Sequence, residues 1–213
     1  MSRTRQGSLV SFRPDIKVMD CTLRDGGLVN NFAFSDEFVR DLYLANIKAG
    51  VDYMEFGYKA STEIFDPANF GKWKFCKEKD IRDIVGDNKT DMKIAVMADV
   101  GRTDFKKDIV NKKDSVIDMI RVATYIHTIP SAIEMIEDAK KKGYETTVNI
   151  MAVSKVNDDD LDAGLELLGQ SGVDVIYLVD SFGAFYPEQV ERLCDKYLNI
   201  GAKYNKKIGI HAH

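Results

Sequence analysis

The chain has 213 residues, 45% of them hydrophobic and 30% charged, so it is long enough for one domain with a sizeable core. Its formal net charge is -4, which excludes the basic surface that attracts nucleic acid or an anionic membrane. The longest apolar runs, such as VDVIYLV, have the length of a strand and are too short to span a membrane. We therefore expect a globular protein with neither nucleic acid nor membrane as a partner.

Two features bear on the compartment. The segment MSRTRQGSLVSF has no apolar stretch of the kind found in secretory signals. The three cysteines, Cys21, Cys76 and Cys194, are scattered and form no CxxC pair. An odd number of scattered cysteines favours reduced thiols over a disulfide framework. The sequence therefore predicts a cytoplasmic protein.

Four stretches share one pattern, in which a helical segment passes through glycine into a strand-like run. They are NIKAGVDYMEFG, AKKKGYETTVNI, LLGQSGVDVIYLVD and LNIGAKYNKKIGIHAH. Glycine takes the left-handed conformation at a helix end, and β-branched residues then extend the chain. The predicted strands cover residues 16–22, 51–57, 92–98, 117–123, 145–152, 174–180 and 207–211. The predicted helices cover residues 35–49, 72–85, 104–113, 129–142, 158–171 and 187–203.

Two helix starts carry clear signals. Ser35 precedes DEFVRDLYLANIKAG as an N-cap, with acidic residues in the first turn. Asn157 precedes DDDLDAGLELL in the same way. The three aspartates there could form a metal cluster, but a helix N-terminus explains them better.

Seven strands alternating with six helices predict a parallel sheet with crossover helices. An open doubly wound sheet usually shows GxGxxG after its first strand, and RDGGL lacks that spacing. We therefore predict a TIM (β/α)8 barrel, which typically needs about 250 residues. The last helix–strand–helix portion is expected to be missing from this chain. Residues 1–15 are predicted to be an N-terminal extension and residues 16–213 the barrel domain.

Polar groups converge on the carboxyl ends of the predicted strands, where the chemistry of such barrels lies. These residues are Asp20, Arg24, Asp25, Glu55, Asp99, His127, Ser181, His211 and His213. Residues i and i+2 of a strand point to the same side, so both imidazoles of the final HAH can aim at one point. Together with a carboxylate they would suit a divalent metal. The plainer alternatives are two surface histidines or part of a tag, although KKIGIHAH has the pattern of a native strand.

The segment DCTLRDGG places Arg24 beside Asp25 at the same mouth. A carboxylate can bind a metal, and a guanidinium offers several donors in a fixed fork to an oxyanion. A surface salt bridge followed by a glycine turn is the structural alternative.

DCTLRDGG on the first strand and HAH on the seventh resemble the metal-dependent lyase and aldolase superfamily of hydroxymethylglutaryl-CoA lyase. Its TIM-barrel members include 4-hydroxy-2-oxovalerate aldolase and the isopropylmalate and homocitrate synthases. MEFG and VDSFGAFYPEQV resemble two further segments of that superfamily, so the likeness runs from about Asp20 to His213.

The resemblance implies a role for each matching residue. Asp25, His211 and His213 are the expected metal ligands. Arg24 is expected to stabilise the enolate or oxyanion and to bind substrate, with Glu55 holding it in place by an ion pair. Ser181 is expected near the substrate carbonyl or carboxylate, and His127 is a candidate catalytic residue.

The implied reaction makes or breaks a C–C bond next to the carbonyl of a 2-oxo acid through a metal-stabilised enolate, with pyruvate as one product. The hydroxyoxovalerate aldolases carry a catalytic histidine four residues after the arginine, and here that position is Leu28. The general base is therefore left open among His127, Asp99 and Tyr58. A Claisen-type acyl-CoA synthase and a non-catalytic barrel domain are the alternatives.

Two imidazoles and a carboxylate favour Mn, Zn or Co over Mg as the divalent metal ion. The expected partners are a small-molecule 2-oxo acid, further copies of the chain in a homo-oligomer, and a partner enzyme or fused C-terminal domain. A seven-stranded barrel would leave an open edge, so we expect a further strand to complete it.

Overall fold

A computed structural model describes residues 13–213. Seven parallel strands form one sheet whose order follows the chain, from β1 at one edge to β7 at the other. The strands are β1 (Met19–Asp20), β2 (Tyr53–Tyr58), β3 (Lys93–Asp99), β4 (Met119–Thr124), β5 (Glu145–Ile150), β6 (Val175–Asp180) and β7 (Lys207–Ala212). The helices are α1 (Thr22–Asn30), α2 (Asp36–Ala49), α3 (Glu78–Val85), α4 (Phe105–Asp108), α5 (Ile129–Lys141), α6 (Asp158–Gln170) and α7 (Pro187–Tyr204).

The sheet curls into part of a TIM barrel, which confirms the predicted fold class. Strands β2 to β5 are buried almost throughout, because helices cover one face and the barrel interior lies on the other. Helix α5 buries Ala132, Met135, Ile136 and Ala139, whose spacing places them on one stripe. Crossover helices of this kind join each parallel strand to the next.

Every second strand is preceded by an aspartate that fixes its register against the strand before it. Asp52, Asp118 and Asp174 accept the backbone N–H groups of Val18, Ile94 and Thr146, each at 2.8 or 2.9 Å. Each of the three carboxylates is also paired with a lysine. The recurring VD and ID pairs in the sequence therefore act as clamps at the amino ends of the strands.

The helix starts occur as predicted. Ser35 accepts the N–H of Phe38, and Asn157 accepts the N–H of Asp160, so the three aspartates mark a helix N-terminus. Other bounds differ from the prediction. The first strand has two residues, not seven, because the chain turns into α1 at Thr22.

Two predicted helices are shorter than expected. The segment 72–85 divides into a 3-10 turn at Lys72–Lys74 and the helix α3, because Cys76 takes a φ of 39° between them. The segment 104–113 forms only the four residues of α4.

The described part of the chain ends the sheet at two edge strands, β1 and β7. No helix between residues 13 and 213 is both long and apolar enough to cross a membrane. All three cysteines are free thiols. The predicted extension over residues 1–15 falls almost wholly outside the described residues and stays a prediction.

Candidate active site

Helix α1 follows the first strand directly and presents an arginine and an aspartate to the barrel mouth. Arg24 is 5% exposed, and Asp25 lies beside it in the first turns of the helix. Nε of Arg24 donates to Oε2 of Glu55 at 2.9 Å. A second nitrogen pairs with the carboxylate of Asp25, and the third lies 3.4 Å from Nε2 of His211. One guanidinium therefore joins side chains from β2, α1 and β7.

Two arginines share the carboxylate of Glu55 inside the barrel. Glu55 and Arg121 are both fully buried, and Nη1 of Arg121 lies 2.5 Å from the oxygen that also accepts from Arg24. Burial alone would raise the pKa of Glu55, but the charges of Arg121 and Arg24 outweigh it and lower that pKa. Burial would likewise lower the pKa of each arginine, and the charge of Glu55 raises it instead. The ion pairs therefore keep all three groups charged and fix the position of Arg24.

Arg121 was not among the residues predicted from the sequence. It lies in β4, where its Nη1 is 3.5 Å from Sγ of Cys21 and its Nη2 donates to Oδ1 of Asn149 at 3.4 Å. Its guanidinium also lies 4.7 Å from the ring centre of Tyr177. A lone arginine inside the apolar strand MIRVAT was the available signal, since a buried charge needs a partner.

Three side chains bring possible metal-binding atoms together. One donor atom each from Cys21, Asp25 and His211 lies within 4.8 Å of the others. Oδ2 of Asp25 is 3.4 Å from Nε2 of His211. Two ligands bound to one ion at about 2.1 Å and at a tetrahedral angle are about 3.4 Å apart. The carboxylate and the imidazole are thus spaced as ligands of one divalent ion.

The local charges favour an ionised carboxylate and a neutral thiol. Burial would raise the pKa of Asp25, but a hydrogen bond with His211 and the charge of Arg24 lower it below its ordinary value. Burial, reinforced by the charge of Glu55, raises the pKa of Cys21 to about 12. Cys21 was not predicted as a site residue. Its thiol stays protonated near pH 7 unless a metal displaces the proton.

His213 lies just past the end of β7 and is exposed. It is not one of the three residues whose donor atoms lie close together. Its ring centre is 4.8 Å from that of His211. The two rings therefore occupy the same side of the strand, as their i and i+2 positions require. Its role as a further metal ligand stays a prediction.

The structure does not bring every predicted residue to this group. His127 is exposed in a 3-10 turn after β4, where its ring stacks on Tyr125 with 5.8 Å between ring centres. Ser181 follows β6, and its hydroxyl accepts the N–H of Ala152 at 3.0 Å. Asp20 accepts the N–H and the hydroxyl of Thr22 at the start of α1. The predicted roles of His127 and Ser181 are supported by none of these contacts and stay predictions.

The two other candidate bases lie nearer to Arg24. Tyr58 ends β2, and burial raises the pKa of its phenol although the neighbouring charge of Arg24 opposes the rise. Asp99 ends β3 and is 8% exposed. Burial raises the pKa of Asp99, the charge of Arg102 opposes the rise, and its Oδ1 has no hydrogen-bond partner among residues 13–213. Burial therefore makes each group a stronger base, once deprotonated, than it is in water.

Comparison with known proteins matches this chain to one family. The model of the HMGL-like family matches residues 15–213. A 4-hydroxy-2-oxovalerate aldolase of Geobacillus genomosp. 3 is 28% identical over 198 residues, which are 93% of this chain and 57% of that protein. An oxaloacetate decarboxylase of Mycobacterium tuberculosis is 24% identical and matches 92% of this chain and 56% of its own length. The chain thus spans somewhat more than half the length of these relatives.

Solved structures agree on the fold. The N-terminal domain of a proposed aldolase from Bacteroides vulgatus superposes with a TM-score of 0.74 at 27% identity, over 93% of this chain and 64% of that one. The HMG-CoA lyase of Brucella melitensis gives a TM-score of 0.64 at 16% identity, over 93% of this chain and 72% of that one. At 16% identity the second likeness concerns the fold alone.

Proposed function

Because the chain belongs to the HMGL-like family, we propose that it is the catalytic barrel of a divalent-metal-dependent aldolase. The proposed reaction breaks or makes the bond between the carbons α and β to the keto carbonyl of a 2-oxo acid, C3 and C4, as in a 4-hydroxy-2-oxovalerate aldolase. The observation that carries the proposal is the spacing of 3.4 Å between Asp25 and His211, with Arg24 in contact with both. Family relatives named as aldolases support the same reaction.

Asp25 and His211 would hold the metal, with His213 as the predicted third protein ligand. A divalent ion bound there supplies a Lewis acid for the carbonyl of the substrate. Arg24 lies against both ligands, so its guanidinium can bind the oxygen on which negative charge develops. Glu55 and Arg121 hold that guanidinium in place in a buried network, so little reorganisation is needed during the reaction.

In the cleavage direction, the C4 hydroxyl of the substrate loses its proton and the bond between C3 and C4 breaks. The products are an aldehyde and, after C3 takes up a proton, pyruvate. The proton acceptor must reach the hydroxyl directly or through one water. Tyr58 and Asp99, at the ends of the two strands beside Arg24, are better placed for this than the exposed His127.

The first test is the metal content of the purified protein, compared with Asp25→Ala and His211→Ala. We expect stoichiometric Mn, Zn or Co in the parent and loss of the ion in both variants. His127→Ala is the matched control. It also removes a histidine, but one that does not belong to the group of Cys21, Asp25 and His211. It should keep the metal, and its activity tests the predicted catalytic role.

The second test is pyruvate release from 4-hydroxy-2-oxo acids, with oxaloacetate included as a decarboxylation substrate. We expect release that depends on the added ion and disappears in Asp25→Ala. A folded parent protein that binds no divalent ion after reconstitution would overturn the proposed mechanism. Metal binding without pyruvate release from either substrate class would point to a barrel kept for binding alone.

A further inference from the structure

A buried lysine next to this site has no use in the proposed reaction. Lys74 ends the 3-10 turn Lys72–Lys74 between β2 and α3, and it is 6% exposed. Four aromatic rings surround its ammonium, and their centres lie 4.3 to 5.6 Å from Nζ. The rings of this Lys74 cage belong to Phe32, Tyr58, Phe65 and Phe70.

The cage depends on unusual backbone geometry. Phe32 takes a φ of 63°, in the left-handed region that a bulky side chain rarely adopts. A Cβ at Gly27 would lie 2.1 Å from the ring of Phe32, and a Cβ at Gly71 would lie 2.0 Å from its carbonyl oxygen. Gly27 and Gly71 therefore make room for Phe32. Backbone strain of this kind persists where the surrounding structure requires the side chain in one place.

The ammonium at the centre of the cage lacks an ordinary partner. Within residues 13–213 it makes neither a hydrogen bond nor an ion pair, and the faces of the four rings are its nearest neighbours of negative potential. Burial lowers the pKa of Lys74, and the charge of Asp99 opposes that change. Asp99 is itself buried, with Oδ1 unpartnered and Oδ2 3.8 Å from Arg102. The charges of buried Lys74 and exposed Arg102 thus both act on the one carboxylate of Asp99, and neither cation donates a hydrogen bond to it.

The cage lies next to the candidate metal site. Tyr58 and Asp99 end β2 and β3, the strands that follow the arginine and aspartate of α1 in the sheet. The ring of Tyr58 is 4.6 Å from Nζ of Lys74, while the charge of Arg24 acts on its phenol. A single side chain therefore separates the buried lysine from the arginine of the proposed site.

We propose that Lys74, with Arg102, binds an oxyanion on the part of the substrate that lies away from the metal. The substrate class would then be a 2-oxo acid with a second anionic group, either a carboxylate or a phosphate. This inference rests on the proposed function, because the 2-oxo acid end of the same ligand must bind to the metal. The two cations carry more charge than the one carboxylate can balance. The oxygen of Asp99 that has no partner can accept a hydrogen bond from a hydroxyl of the same ligand. Lys74 therefore determines specificity and takes no part in the bond that breaks.

Calorimetry on the protein loaded with Mn²⁺ tests this without any turnover. 2-Oxovalerate and 2-oxoglutarate have five carbons each and differ in a terminal methyl against a terminal carboxylate. A charge-assisted hydrogen bond changes affinity roughly 10- to 100-fold, so we expect 2-oxoglutarate to bind tighter by that factor. The 4-phosphono analogue of 2-oxobutyrate forms the second arm. Whichever of 2-oxoglutarate and the phosphono analogue binds more tightly shows whether the site prefers a terminal carboxylate or a terminal phosphate.

Lys74→Met should remove this preference and leave the affinity for 2-oxovalerate unchanged. Lys72→Met is the matched control, because Lys72 belongs to the same turn but pairs with Asp36 and is partly exposed. It should keep the preference, and Lys74→Arg should keep part of it by retaining the charge. The melting temperature of each variant shows whether it is folded.

Two results would overturn the inference, and they can be told apart. If the parent binds the monoanion and the dianions equally, or if folded Lys74→Met keeps the preference, Lys74 has only a structural role in packing. If none of the 2-oxo acids binds the metal-loaded protein, the proposed function fails and this inference fails with it.

Discussion

The two ends of the barrel strands both carry acids and bases, but they satisfy them differently. At the amino ends, a cleft of about 810 Å³ is lined by Lys17, Asp52, Lys140 and Asp174 together with other charged groups. These four form two ion pairs, and both carboxylates also accept backbone N–H groups. Charges paired in this way stabilise strand register and leave little capacity to bind a ligand.

In the barrel interior and at the carboxyl ends of the strands, buried polar atoms are left without partners. Oε1 of Glu55, Oδ1 of Asp99 and Nε of Arg121 make no hydrogen bond within residues 13–213. Leaving such groups unpaired costs folding free energy, about 1–3 kcal/mol each. Incomplete pairing of buried charges, more than their number or the size of a cleft, therefore distinguishes the end of the proposed site from the opposite end.

The largest expected effect follows from breaking the buried network. Glu55→Gln leaves Arg121 without a counter-charge and Arg24 with Asp25 alone, and we expect it to lower the free energy of unfolding by about 3–5 kcal/mol. Glu145→Gln is the control at the amino ends, where Glu145 accepts from Tyr53 and pairs with Lys93. It should lose only about 1 kcal/mol. Urea unfolding measures both, and equal losses would contradict the contrast between the two ends.

An intermediate effect is expected on activity. Arg24→Lys keeps the charge but not the fork that reaches Glu55, Asp25 and His211. We expect the rate of pyruvate release to fall about 10²- to 10³-fold, as when a donor to a developing oxyanion is lost. Arg192→Lys, on the exposed pair with Asp158, should leave it unchanged. Unchanged kcat in folded Arg24→Lys would remove Arg24 from the mechanism.

The smallest effect concerns a clamp and its pH dependence. The pKa of Asp174 is lowered because hydrogen bonds and the charge of Lys140 outweigh its burial. It therefore contributes stability above its unfolded pKa of about 3.8, and this stability is lost as the pH falls through the lower folded pKa. Asp174→Asn should destabilise the protein by about 1 kcal/mol at pH 7.

The difference in melting temperature between Asp174→Asn and the parent should therefore be full at pH 7. It should shrink as the pH falls below about 4, because the carboxylate of the unfolded parent then takes up a proton, followed at lower pH by that of the folded parent. A difference that stays constant down to pH 3 would show that the charge of Asp174 does not stabilise the clamp. Metal content should not change in the variant, because this aspartate lies at the amino end of its strand.

The sequence by itself determined the barrel and one part of the candidate site. Helix–glycine–strand repeats are local patterns, and parallel strands joined by crossover helices admit few arrangements. The HAH pair and the adjacent Arg24 and Asp25 were visible because their spacing carries the chemistry within a few residues. Their meeting across 187 positions of sequence follows once the strand order is known.

Only the tertiary structure decided what lies around that core of the site. Arg121 meets Glu55 from 66 positions away, and Lys74 meets rings from a helix end, a strand and a loop. Such contacts depend on which side chains share a buried volume, and no local spacing records that. The helix that carries Arg24 and Asp25 was also missed, because two glycines after RD favour a turn in isolation. Packing of that helix on β2, with the Arg24–Glu55 ion pair, overrides this preference in the folded protein.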